Sequence, residues 1–168
     1  MSRGRARTRR RAVAAAAPPL RPAAVRASLQ LCFPSETAFL AVVRELTKKM
    51  AELAGFDATT AAHVALAVDE AATNVIEHAY HGSSAHEIEV RWEDRGKEFR
   101  VDVLDSGAMV DPRTIPHVEL DRYVSERRTG GLGVHLMEKI MDSVTFRRSA
   151  RRNVCCLVKH KDAEGGKT

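Results

Sequence analysis

Glu70 and Asn74 stand four residues apart in Asp69-Glu70-Ala71-Ala72-Thr73-Asn74, inside a run that reads as one helix. That spacing projects both side chains from one helix face, a turn apart. A carboxylate beside an amide oxygen suits two jobs, taking a proton from a hydroxyl and offering oxygen to a hard cation such as Mg²⁺. Alone, an acid and an Asn at this spacing are most often a solvated face. Two later stretches bear on the choice. Asp105-Ser106-Gly107 closes a strand-like run. A carboxylate there can accept from an exocyclic amine, and a nearby Gly lets a flat ring lie against backbone; the same residues also spell an Asx-type turn leaving a sheet. Gly130-Gly131-Leu132-Gly133 opens an apolar helix, whose free N–H groups and dipole favour phosphate, although a hinge has the same pattern. It is neither a Walker A loop nor a dinucleotide fingerprint, since no G-K-[ST] follows and no βαβ unit surrounds it. His78 falls on the face of Glu70 and Asn74 and reads as a structural histidine.

The elements that must carry these residues follow from periodicity. Leu29, Leu31 and Phe33 alternate as a first strand ended by Pro34. Ser35 is placed to cap a helix whose apolar stripe is Phe39, Val42, Val43, Leu46, Met50 and Leu53, stopped by Gly55. Asp57 caps a second helix running to about Tyr80, with Val64, Val68, Ala71, Ala72, Val75, Ile76 and Ala79 on its apolar side. Ile88, Val90 and Trp92, then Phe99, Val101 and Val103, form an antiparallel hairpin about Glu93–Lys97. Residues 105–130 lose periodicity and carry Pro112 and Pro116; a connection of that length inside a domain reads as a lid. A helix over Leu132–Met141 and a closing hairpin at Val144–Phe146 and Val154–Val158 complete the order. Strands with helices grouped between them predict an α+β fold, a two-layer sandwich with a mixed, mostly antiparallel sheet and helices on one face.

The bulk properties exclude several classes. The 168 residues suffice for one domain with a proper core. The formal charge of +5 comes from the first 26 residues, which hold eight Arg and no acid; the remaining 19 basic and 22 acidic residues give −3. A mildly acidic domain argues against direct nucleic-acid binding. Residues 1–27 read as a disordered basic arm, 28–161 as the folded domain and 162–168 as a polar tail. Cys32, Cys155 and Cys156 form neither a disulfide framework nor metal-ligand spacing, which fits a reducing, cytoplasmic setting. No apolar run reaches the length of a membrane span.

Together the three stretches describe a nucleotide site, and their order resembles the GHKL ATPase superfamily with its Bergerat ATP-binding fold. Glu70-Ala71-Ala72-Thr73-Asn74 with Glu77-His78-Ala79-Tyr80 is similar to the N box of its anti-sigma factor serine/threonine kinases. Asp105-Ser106-Gly107 with Asp111-Pro112 resembles their first glycine box, and Gly130-Gly131-Leu132-Gly133-Val134-His135-Leu136-Met137 their second; the likeness spans about residues 29–160. It implies an ATP- and Mg²⁺-dependent protein kinase that sequesters a sigma factor and phosphorylates an antagonist protein. Glu70 would be the general base, Asn74 would hold Mg²⁺, Asp105 would read the adenine amine with Gly107 giving the ring room, and Gly131, Leu132 and Gly133 would bend over the phosphates. The resemblance also suggests a homodimer. The chain departs from the family at Met109, where relatives often have Gly, and at Arg152-Asn153, where many have Gly-Thr. The alternative reading is a regulatory module, gated by nucleotide or independent of it, that binds a partner without kinase activity.

Overall fold

A computed structural model describes residues 26–109, 132–149 and 151–161. Five strands carry the alternating runs: β1 (Ala27–Pro34), β2 (Glu87–Asp94), β3 (Glu98–Asp105), β4 (Ser143–Ser149) and β5 (Arg152–His160). They form one sheet in the order β1-β2-β3-β5-β4, and every neighbouring pair is antiparallel, so no parallel pair occurs among the described residues. The helices are α1 (Leu40–Leu53), α2 (Ala58–Asn74) and α3 (Leu132–Ile140). The two-layer α+β architecture expected from the sequence is the one observed.

Register explains the core. Leu31, Val90, Val103 and Cys155 lie in one row across four strands, and Trp92, Val101 and Leu157 in another. Alternation turns these rows to the helical layer, where Ile88, Val90, Trp92, Phe99, Val101, Val103 and Leu157 are fully buried. On α2 and the turn that continues it, Val64, Val68, Ala71, Ala72, Val75, Ile76 and Ala79 are all buried, as the periodicity predicts. The Trp92 indole N–H donates to Thr47 Oγ1 at 2.9 Å, and that hydroxyl donates to the Val43 carbonyl at 2.7 Å, a short relay that seats α1 on the sheet. Cys155 and Cys156 face opposite sides, and both are buried. Burial drives the Cys155 thiol far above its ordinary value and pushes Cys156 up to about 11, so both stay protonated packing residues.

Local chemistry determines some boundaries and long-range contacts others. The Asp57 carboxylate accepts from the Thr59 and Thr60 amides at 2.9 and 3.0 Å, the expected N-cap of α2. Ser35 does not cap α1. A 3₁₀ turn over Thr37–Phe39 precedes the helix, and Ser35 Oγ instead donates to the Ser83 carbonyl at 2.7 Å. Val42 and Leu53 are exposed rather than part of the α1 core stripe, which narrows to Val43, Thr47 and Ala51 with half-buried flanks. The second helix does reach Ala79, but its last five residues, Val75–Ala79, are π-helical. The lid expected over residues 105–130 lies outside the described residues from position 110 onward.

Candidate functional site

The cleft lies where the end of α2 meets the ends of β3, β4 and β5. Asn74, His78, Asp105, Met109, Val134, Phe146 and Asn153 line it. Asn74 is the last α-helical residue of its element, and the π turn follows at once; single π turns recur at functional sites. That turn makes a seam with the sheet. The Ala79 carbonyl accepts from the Ala108 N–H at 3.2 Å. The Tyr80 hydroxyl accepts from the Ser106 N–H at 2.9 Å and donates to the Glu87 carbonyl at 3.0 Å. Tyr80 also stacks on His86, with ring centroids 4.3 Å apart.

Asp105 makes the Asx-type turn with one of its two oxygens. Its Oδ1 accepts from the Gly107 N–H at 2.8 Å, an Asx-type turn, and from Asn153 Nδ2 at 2.8 Å. Its Oδ2 has no partner among the described residues. The side chain is thereby fixed on the cleft wall with one acceptor in hand, which suits a ring amine. Gly107 is needed for a reason that periodicity does not reveal. A Cβ there would stand 2.5 Å from the Ala79 carbonyl oxygen, so a side chain would push the sheet off the helix end.

Glu70 sits one turn before Asn74 on α2, half-buried, and makes no hydrogen bond among the described residues. Burial raises its carboxyl above the ordinary value, with the neighbouring Asp69 and Glu77 charges adding to the shift and His78 opposing it. A raised carboxylate with free lone pairs is a better proton acceptor than a solvated one. Its carboxylate rests on Gly133, where a Cβ would lie 2.0 Å from Oε1. Asp69 turns towards α1, with one oxygen 3.7 Å from Arg44 Nη1 and Oδ1 buried without a partner among the described residues; burial raises its carboxyl too, against the pull of Arg44.

The structure therefore brings Asn74 and Asp105 onto one cleft and Glu70 against Gly133 beside it. Leu132 opens α3, and Gly131 lies outside the described residues. The residue set fits a nucleotide at the base end, through the unpaired Asp105 oxygen. It fits Mg²⁺ only in the sparse manner of a cation held largely by substrate phosphates, because the described residues contain no cluster of three His, Cys, Asp or Glu. Tyr80 and Asn153 tie the strand exit together and are the residues that motif reading passes over. Tyr80 is a hydrophobic-looking end to the N-box run, and the only signal for Asn153 is its departure from Gly-Thr.

A two-layer sandwich with an Asn-bearing helix, an Asp at a strand exit and a glycine-opened helix around one cleft defines a GHKL-type ATPase domain. The chain belongs to the histidine kinase-like ATPase domain family, whose model matches residues 33–159. It is 30% identical over 125 residues to the serine-protein kinase RsbW of Bacillus velezensis, covering 69% of this chain and 75% of that protein. RsbW of Listeria innocua is 31% identical over 120 residues, covering 69% and 76%. RsbW of Halalkalibacterium halodurans is 26% identical over 132 residues, covering 73% and 77%. Among solved structures, the RsbU and RsbW domains of a Mycobacterium tuberculosis protein share the fold at a TM-score of 0.56 and 18% identity. That match covers 80% of this chain and 32% of the other. No helix of the described residues is long and apolar enough to cross a membrane.

Proposed function

We propose that this chain is an ATP- and Mg²⁺-dependent protein serine/threonine kinase that acts as an anti-sigma factor, holding a sigma factor and phosphorylating an antagonist protein. The relatives named serine-protein kinase RsbW support the activity class. The observation that carries the assignment is Glu70: a half-buried carboxyl raised by its surroundings, free of hydrogen bonds among the described residues, one turn from Asn74. ATP, the co-substrate, supplies the phosphoryl group. Glu70 takes the proton of the Ser or Thr hydroxyl as its oxygen attacks phosphorus, and the bond to the ADP leaving group breaks. Asn74 would hold the Mg²⁺, which would supply charge neutralisation at the phosphates, Asp105 Oδ2 would accept from the adenine amine, and Gly131, Leu132 and Gly133 would offer backbone N–H groups to the phosphate end. Phosphoryl transfer needs chiefly positioning and charge neutralisation, so this sparse set is sufficient. Residues 28–161 form the catalytic unit in this reading, the basic arm 1–27 and the tail 162–168 flank it, the protein works in the cytoplasm, and a homodimer is its working form.

The test is Glu70→Ala. Phosphorylation of the antagonist should vanish while partner capture and Mg²⁺-dependent ATP binding persist. Unchanged phosphorylation would remove Glu70 from the mechanism. Partner capture by a wild-type protein that neither binds nor consumes ATP would favour the partner-binding module.

A further inference from the structure

We infer that Asn153 sets the base selectivity of the cleft, by fixing Asp105 and by leaving the described residues of the strand exit without a free hydrogen-bond donor; this rests on the nucleotide reading above. The Asn153 amide donates to Asp105 Oδ1 at 2.8 Å and to the Gly107 carbonyl at 3.1 Å. The reverse amide orientation would set its oxygen against two acceptors, so these partners assign it. Both N–H groups are thereby spent. Asn153 Oδ1 is buried with no partner among the described residues.

The surrounding backbone is spent in the same way. The Ser106 N–H goes to the Tyr80 hydroxyl, the Gly107 N–H to Asp105 Oδ1 and the Ala108 N–H to the Ala79 carbonyl. The Tyr80 proton goes to the Glu87 carbonyl. Three successive amides and two side chains at the strand exit therefore donate inward. What remains for a ligand is acceptor character, at Asp105 Oδ2. A purine with an amine at the ring position facing Asp105 is satisfied there. A purine with a carbonyl at that position finds no free donor among the described residues of the strand exit and faces a carboxylate, and a polar group left unpaired on binding is strongly rejected. Asn153 maintains this condition: it holds the carboxylate in one orientation and adds no free donor of its own. It is a positioning residue, acting through Asp105.

The experiment is titration of ATP and of inosine triphosphate, whose ring carries a carbonyl in place of the amine, into the full chain with Mg²⁺. Wild type, Asn153→Ala and Asn153→Asp are compared, with a melting curve for each. Wild type should prefer ATP by about 100-fold or more. Asn153→Ala frees Asp105 and should lower ATP affinity about tenfold with little change for inosine triphosphate. Asn153→Asp places two carboxyls within hydrogen-bond distance, so they share a proton and present a donor. Its preference should shift at least about tenfold towards inosine triphosphate, and further as pH falls. A purely structural role for Asn153 would weaken both nucleotides alike. Unchanged ATP-to-inosine-triphosphate ratios in both folded variants would overturn the inference. Failure of wild type to bind ATP at all would instead overturn the nucleotide reading beneath it.

Discussion

Replacing Gly133 with Ala should disable Glu70 without disabling the fold. A Cβ at Gly133 would lie 2.0 Å from Glu70 Oε1 and 2.5 Å from both Cδ and Cγ, where ordinary contact begins at 3.4 Å. The carboxylate oxygen must therefore retreat by about 1.4 Å, the difference between 3.4 and 2.0. Since Cγ is also too close, the whole side chain must change rotamer. A misplacement near 1 Å at a reacting group costs on the order of 100-fold in rate. Gly133 is the second residue of α3, so the helix gains less than the ~1 kcal/mol that separates Ala from Gly in an interior, and the repacking falls on one flexible side chain. Phosphorylation of the protein substrate should thus fall about 100-fold in kcat, while the melting temperature moves by no more than roughly 4 °C. Combining Gly133→Ala with Glu70→Gln separates this cause from others. If the new methyl acts through Glu70, the double variant is no slower than Glu70→Gln alone, because the two changes remove one function. Multiplicative losses would refute the mechanism, and so would a Gly133→Ala protein of normal rate.

Gly107→Ala meets backbone rather than a movable side chain, with the Ala79 oxygen 2.5 Å from the new carbon; urea unfolding should show a loss of about 1–3 kcal/mol. Tyr80→Phe strands the Ser106 N–H and the Glu87 carbonyl and should cost about 1–3 kcal/mol by the same measurement, with ATP affinity falling as the strand exit loosens. The Glu70 carboxyl lies above its ordinary value through burial and then the Asp69 and Glu77 charges, so the acid limb of the kcat/KM profile should sit above that of a solvated Glu. Asp69→Asn should move that limb to lower pH. The matching stability effect runs in one direction. The folded state holds the Glu70 proton more tightly, so this contribution is full below the ordinary Glu range and is lost as pH rises through the raised folded value. Chemical denaturation across that window, wild type against Glu70→Gln, reads it directly.

What the residues alone disclose divides along the range of the interactions. The Asp57 cap, the α2 apolar face and the β2–β3 hairpin are written in neighbouring residues, and each was legible. Asn74 and Asp105 stand out as candidates because spacing and strand ends carry their own chemistry, and the structure sets both on one cleft. Ser35 was misread because its hydroxyl is claimed by Ser83, 48 positions away, in preference to a local helix. Val42 and Leu53 fit the α1 periodicity, but the face they occupy is not covered among the described residues. The reasons for Gly107 and Gly133 were hidden for the same cause. Each lacks a side chain because of an atom on another element, Ala79 or Glu70, and no window of sequence contains both partners. Sheet order has this character too, since β5 inserts between β3 and β4 in space and not in sequence.

The π turn over Val75–Ala79 makes the chain count in two different units. Up to Asn74 a residue's neighbour lies four positions on; in the next five residues it lies five positions on, as in the bond from the Tyr80 N–H to the Val75 carbonyl. The stretch from Asn74 to Tyr80 is accordingly a gauge block, one residue longer than an ordinary helix would need for the same hydrogen-bonded length. Deleting a single residue there would leave a sound α-helix and still fail. Everything after the cut would turn by about 100°, carrying Ala79 away from the strand exit and Tyr80 away from Ser106. Insertions and deletions are usually tolerated in loops and punished in cores. Here the intolerant position is a helix end whose composition would accept either length, and the constraint on its length is held by the sheet opposite.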